Sequence, residues 1–421
     1  MTVGNLIEKG IPFILLPILT RLLSQADYGA ITTINAIRST LEPVVLMSVS
    51  SAVGRAYYDR NKPEFDFKAY IFNALIVSTV LFMLVLITLG AARSIFLYLQ
   101  QFAFSWLFLV TVYVWASAAG GIKVNLWIFQ NRALYFSLFN IAKAIANLGL
   151  SLAIVFLWMR NWQGRVLGIG VVEIAFGFFA LIFLIKQDGL RLKPDAGYLK
   201  DLLKFGMPLL PHSFGLIALS TADKYFLNAM QGLSVTGLYG VGYTIGMALI
   251  ILTTPIDQAL EPVIYENLSQ LNISNARRLV RISYCYIAIV VMGALALWMV
   301  APLALRLFVD EKFYSAKDYV FWIALGYGFL GIRRLFSKFI TFSKKTHYIT
   351  ATTLIAGATA IVTNYVFVSL NGAMGAAQAV FISYGVYCLS SWWVVAKLYP
   401  LPWFSFFKSI ASKVDRVDMT L

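Results

Sequence analysis

Asn35, Arg38 and Glu42 recur at i, i+3 and i+7 in an otherwise apolar stretch that begins at Gly29, and Asn140, Lys143 and Asn147 repeat the pattern in another. Each triplet falls on one face of a helix, with the charged members roughly 13–20 Å along it at ~1.5 Å per residue. An ionisable group inside an apolar span costs at least ~2.5–3.5 kcal/mol on insertion scales, so such groups face a bundle interior or a wet cavity. Two facing stripes, each with a cation, would line a positive cavity suited to an anion. Lys9, about one turn inside the first apolar segment, adds a third cation, and Arg55 stands at the mouth. The alternative is local neutralisation, with Arg38 paired to Glu42 one turn away and Lys143 satisfied by its asparagines.

Other polar groups invite different chemistry. Asp257 and Glu261 form an i,i+4 acidic pair, and carboxylates that close can hold a shared proton or a sodium ion; His212 lies beside Pro211. The adjacent pair Asp223–Lys224 interrupts the apolar run FGLIALSTADKYFLNAM. Counting from Lys204 puts Asp223 about 28 Å along its helix, near the outer interface. There Lys224 would snorkel beside its neighbour, or the pair would serve an outer gate. No metal-spaced His/Cys cluster, phosphate-binding glycine loop or external loop with paired carboxylates is present, which argues against an enzyme and against a bound cofactor or metal. Both cysteines, Cys285 and Cys388, fall within apolar segments.

These residues must be positioned by membrane helices. The chain of 421 residues is 60% hydrophobic and 13% charged, with a mean hydropathy of +0.77, far from the ~25% charged content of soluble domains. At about 20 residues per crossing, twelve spans are expected: 4–23, 30–56, 68–90, 97–119, 134–158, 165–185, 205–228, 235–262, 280–304, 318–340, 347–369 and 375–397. Lys and Arg in alternate connections number 19 against 7, which places both termini in the cytoplasm. The net charge of +15 is therefore topological, and nucleic acid is not expected as a partner. The segment Lys186–Lys204 divides the crossings six and six, giving lobes at 1–190 and 191–421, the latter with a short cytoplasmic tail; its end reads as an interfacial amphipathic helix. A weak internal repeat is also visible: KGIPFILLP with FGMPLLP, LSQADYG with LSVTGLYG, and LEPVV with LEPVI.

The segments KGIPFILLPILTRLLSQADYG, SSAVGRAYYD, LLKFGMPLLPHSFG and STADKYFLNAMQGLSVTGLYGVGY, in this order and within a twelve-span frame, resemble the Wzx-type polysaccharide flippases of the multidrug/oligosaccharidyl-lipid/polysaccharide exporter superfamily. The resemblance covers nearly the whole chain. It implies an all-α protein of two six-helix lobes around a central cationic cavity, in a bacterial inner membrane. It further implies that alternating access carries a polyprenyl-diphosphate-linked oligosaccharide between leaflets for O-antigen, lipopolysaccharide, capsule or exopolysaccharide assembly. Membrane lipids, a polysaccharide polymerase and chain-length proteins are the implied partners, and H+ or Na+ the candidate coupling ion. The segment before Lys9 is short for that family, which leaves the depth of Lys9 open. An ion-coupled multidrug antiporter on the same fold is the alternative, with a membrane glycosyltransferase or polymerase behind it.

Overall fold

The computed structural model describes residues 2–95 and 101–403, and all regular structure in them is helical. The helices are α1 (Thr2–Leu22), α2 (Gln25–Leu46), α3 (Val49–Ala56), α4 (Phe67–Ile95), α5 (Phe104–Phe129), α6 (Ala133–Leu157), α7 (Trp162–Lys186), α8 (Ala196–Gly206), α9 (Leu210–Gly246), α10 (Ala248–Ser269), α11 (Ile273–Phe308), α12 (Lys317–Phe342) and α13 (His347–Leu398). Eight helical stretches among the described residues are long and apolar enough to cross a membrane. The chain is a polytopic all-α membrane protein.

Two helices hold more than one crossing. α9 is interrupted at Gly232 (φ 81°) and α13 at Gly372 (φ 54°), in a region that only glycine enters without a Cβ penalty. Each break folds the helix back on itself. Beyond Gly232, the Tyr239 hydroxyl donates to Asp223 Oδ2 at 2.6 Å, and across Gly372 the hydroxyls of Thr353 and Tyr387 meet at 2.6 Å. The breaks fall between spans expected as separate crossings.

Several boundaries differ from expectation, including the expected span 235–262, which is divided between α9 and α10 at Met247. The fourth span lies at α5, Phe104–Phe129, and not at 97–119. Lys123, counted as a loop cation, is therefore inside a helix and fully buried against Asp188 at 2.5 Å. The expected span 30–56 breaks at Met47 and Ser48, whose positive φ values of 39° and 55° detach α3 as a short helix. The end of the Lys186–Lys204 segment is a short helix, α8, as its amphipathic pattern suggests, and it is tied to α3 where Arg55 meets Asp201 and lies over the Phe205 ring.

Packing groups the chain into two compact units, Met1–Val241 with Arg306–Ser315, and Gly242–Leu305 with Ala316–Leu421. The lobes expected at 1–190 and 191–421 were drawn at a linker, whereas these units follow contacts. Within the first unit, the segments LSQADYG and LSVTGLYG pack on each other. A Cβ on Gly29 would overlap the Leu233 carbonyl oxygen, and one on Gly237 the Gln25 carbonyl oxygen. The contact is reciprocal, each glycine meeting the carbonyl four residues before the other, as backbones crossing on small residues do. Gly240 meets Thr32 one turn further on.

Gly29→Ala and Gly237→Ala should each destabilise the fold by about 1–3 kcal/mol through overpacking. Gly149→Ala, where an added Cβ meets nothing within 4 Å, should be neutral or stabilising by up to ~1 kcal/mol. Thermal unfolding midpoints in detergent check the contrast; equal shifts would show that the crossing is loose.

Candidate functional site

The site is assembled by two helix registers. Ser24 caps α2, its Oγ accepting from the Asp27 amide while the Asp27 carboxylate accepts from the Ser24 amide. The other Asp27 oxygen accepts from the amide of Trp162 at 3.1 Å, the first residue of α7. The two helices thus begin level and run side by side. Eleven residues on along each, roughly 17 Å, Arg38 meets Glu173 at 3.2 Å; the separation in sequence, 135, is the same for both contacts. That depth is near the middle of a ~30 Å hydrocarbon core.

The second register is the hairpin of α6 and α7. Asn161 caps α7 by accepting from the amides of Gln163 and Gly164. Gly168 lets α7 approach the Ser151 backbone, where a Cβ would lie 2.7 Å from its Cα. Along this antiparallel seam Arg165 donates to Ser151 Oγ and to Asn147 Oδ1, the latter at 2.7 Å. Further in, Lys143 Nζ reaches Glu173 Oε2 at 2.8 Å. Glu173 therefore receives Arg38 on one oxygen and Lys143 on the other.

The exposures define what this arrangement offers. The Glu173 side chain is 4% exposed, whereas Arg38 and Lys143 retain 30% and 25%. The carboxylate holds the cations from the buried side and leaves part of each accessible. Asn35 and Glu42 are exposed on the same face of α2, and Asn140 is half-buried on α6 one turn before Lys143. With buried Arg165, three cations stand with two carboxylates, Glu173 and the exposed Glu42, so among the described residues the group is net positive. Arg38 also lies 5.7 Å from the ring of Tyr113. Such a surface can take an anion, with the guanidinium able to bind two oxygens at once.

The sequence reading changes in several places. Arg38 and Lys143 do come together, but the ion pair of Arg38 is with Glu173 on α7 rather than with Glu42 one turn along. Asn147 serves Arg165. Glu173 and Arg165 were both missed; the signal was a lone carboxylate in the run GIGVVEIAFGFF, which has no partner on its own helix and so must find one elsewhere. Arg55 is held by Asp201 on α8. The side chain of Lys9 lies outside the described residues.

The remaining candidates sit elsewhere. Lys224 does not snorkel: it is buried, with Nζ 3.0 Å from Asp223 Oδ1 and 2.8 Å from the Ser220 carbonyl. Asp223 lies about 13 Å before the Gly232 turn along α9. In the second unit, Asp257 and Glu261 do not form a bare acidic pair. Lys338 on α12 lies 2.8 Å from Asp257 and 3.7 Å from Glu261, which compensates the repulsion on which proton sharing rests. Arg334, one turn before Lys338, donates to Thr254 at 3.1 Å. His212 occupies the first turn of α9, half-buried, in the other unit. No cluster of three or more potential metal ligands occurs among the described residues.

Transporters of one superfamily share this fold. Residues 1–268 match the polysaccharide biosynthesis protein family, and residues 208–366 match the MatE family. With nearly two thirds of its length matched, the chain belongs to the polysaccharide biosynthesis protein family. A Haemophilus influenzae protein named for the Lsg locus is 22% identical over 324 residues, 75% of this chain and 77% of its own. Among solved structures, the lipid II flippase MurJ in an inward closed conformation superposes with a TM-score of 0.72 at 12% identity, covering 94% of this chain and 85% of that one. An inward-facing multidrug resistance MATE transporter gives 0.67 at 16% identity, covering 94% and 95%. At such identities the structures establish the fold, that of the MOP superfamily transporters and flippases, which are not enzymes.

Glu173→Gln would leave two cations at mid-depth. It should cost about 2–3 kcal/mol, below the ~3–5 of a fully buried broken pair because both cations remain partly accessible. Lys143→Met, which leaves Arg38 and Glu173 balanced, should cost clearly less. Unfolding midpoints of the two variants decide whether Glu173 is the common anchor.

Proposed function

We propose that this protein is a flippase that carries a polyprenyl-diphosphate-linked oligosaccharide from the cytoplasmic to the outer leaflet of a bacterial inner membrane, by alternating access. The observation that carries this reading is the pair of cations, Arg38 and Lys143, anchored on Glu173 at mid-membrane depth while a quarter to a third of each stays accessible. A diphosphate is the part of such a substrate that crosses the bilayer at the greatest electrostatic cost. An accessible guanidinium and ammonium in a medium of low dielectric offset that cost. Asn35, Asn140 and Asn147 are polar neighbours for the diphosphate or the first sugars, and Lys9 and Arg55 extend the cationic path; the prenyl tail stays in lipid. The orientation, with both termini cytoplasmic, rests on the distribution of Lys and Arg.

Family membership and the kinship in fold to a lipid II flippase support the same direction. The product is a building block for O-antigen, capsule or exopolysaccharide, and a polymerase and chain-length proteins are the partners it would feed. The Asp257–Glu261–Lys338 cluster is the candidate for coupling to H+ or Na+, with His212 a weaker one, and Asp223–Lys224 belong to an outer gate. A multidrug antiporter is the second reading, favoured by the depth of Glu173, since a buried carboxylate is what an organic cation would seek. Here that carboxylate is already occupied by two protein cations, which weighs for an anionic substrate.

Transfer of a labelled polyprenyl-diphosphate oligosaccharide between leaflets of proteoliposomes is the decisive assay. Arg38→Ala and Lys143→Ala should each slow it at least about tenfold, the loss of roughly 1.4 kcal/mol of charge-assisted contact; Lys224→Ala should act more mildly. Normal transfer by the double variant would sink the cationic site. Movement of a cationic dye in place of the oligosaccharide would establish the antiporter.

A further inference from the structure

Away from the charged cluster, α4, α5 and α7 enclose an apolar groove of about 400 Å³, lined by residues including Leu75, Trp115, Ile174, Phe178 and Leu181. Its hydroxyl, Thr79, is already used: it donates to the Leu75 carbonyl at 2.8 Å and accepts from Trp115 Nε1 at 3.0 Å. The lining therefore favours hydrocarbon. Along α7 the groove runs from Ile174 to Ile185, eleven residues or about 17 Å, which is close to half of a ~30 Å hydrocarbon core. It is one leaflet deep and ends where the chain leaves the membrane.

The closed end is a fixed, cationic rim. Leu190 and Leu192 line it, on a loop pinned by buried Asn73, which donates to the Lys193 carbonyl and accepts from the Asp195 amide, both at 2.9 Å. Lys68 lies against Gly189 of that loop, whose φ of +66° suits glycine. Of the acids there, Asp66 is engaged by Arg191, Asp188 by Lys123, and Asp195 caps α8. Arg191 holds the Asp66 carboxyl below its usual range. Lys68, Lys186 and Lys193 bring the cations to five against three, so the rim is positive.

We propose that this groove seats one acyl chain of an anionic phospholipid from the leaflet that meets the loop, with the lipid phosphate at Lys68 and Lys186. The apolar length matches one chain in one leaflet, and the charge at its end matches the headgroup. The site is separate from the Glu173 cluster and does not depend on the transport reading.

The test places the full-length protein in phosphatidylcholine nanodiscs doped with phosphatidylglycerol or phosphatidylcholine carrying a photoreactive acyl chain, and maps the crosslinks by mass spectrometry. Crosslinks should concentrate on 72–79 and 174–185, and favour phosphatidylglycerol. Lys68→Gln and Lys186→Gln, both at exposed positions, should each cut that preference about fivefold, the contribution of one basic residue near a membrane surface. Leu181→Trp should fill the groove and abolish these crosslinks while those on the exposed residues Met292 and Met299 of α11 persist. Labelling spread evenly over lipid-facing helices, or no headgroup preference, would overturn the assignment. So would displacement of the phospholipid by an added polyprenyl phosphate, which would make the occupant a prenyl chain.

Discussion

The carboxylate of Glu173 sits between two cations of different helices at mid-membrane depth, and the geometry of the first unit is arranged to put it there. Any one of the three charges alone would be expelled or neutralised in that environment. Together they form a unit whose members cannot be removed singly without leaving an uncompensated charge. This constrains α2, α6 and α7 to one register. The contact of Asp27 with Trp162 sets α2 and α7 level, and the Arg165–Ser151–Asn147 seam sets the hairpin of α6 and α7. Because the carboxylate is buried and the cations are not, the anchoring leaves a net positive surface instead of consuming it.

The bilayer as solvent explains the rest of the architecture. Backbone polar groups in hydrocarbon must be satisfied within the helix, so changes of direction concentrate at a few special residues. Gly232 and Gly372 reverse α9 and α13, and the left-handed Met47 and Ser48 release α3. Where two helices must come closest, Gly29 and Gly237 replace side-chain packing by backbone contact. The second unit uses the same device as the first in a different place: Lys338 is taken up by Asp257 and Glu261 from a neighbouring helix. Each unit thus carries a cation on one helix neutralised by acid on another.

These two clusters differ in a way that bears on function. Around Glu173 the cations outnumber the carboxylates and keep part of their surface, which suits an anionic passenger. Around Lys338 two acids face Lys338 and Arg334, and the lysine itself is buried, so this cluster is closer to charge balance. Under the proposed function, the first cluster would lower the barrier for the diphosphate and the second would bias the conformational cycle.

The sequence by itself determined the class of solvent, the approximate positions of most spans and the polar stripes of α2 and α6. Hydropathy and 3.6-residue spacing are local properties, and the membrane enforces them segment by segment. It also placed Arg38 and Lys143 at similar depth, because depth along a helix is a count of residues. Which carboxylate meets them was decided only by tertiary structure. Glu42 lay at the right spacing on the same helix, yet Glu173 took the role, because partnership depends on how α2 and α7 stand side by side and no periodicity within either helix records that. For the same reason Lys338 between Asp257 and Glu261, and Lys123 against Asp188, were visible as residues but not as pairs: charges in hydrocarbon must be matched, and the fold chooses the match.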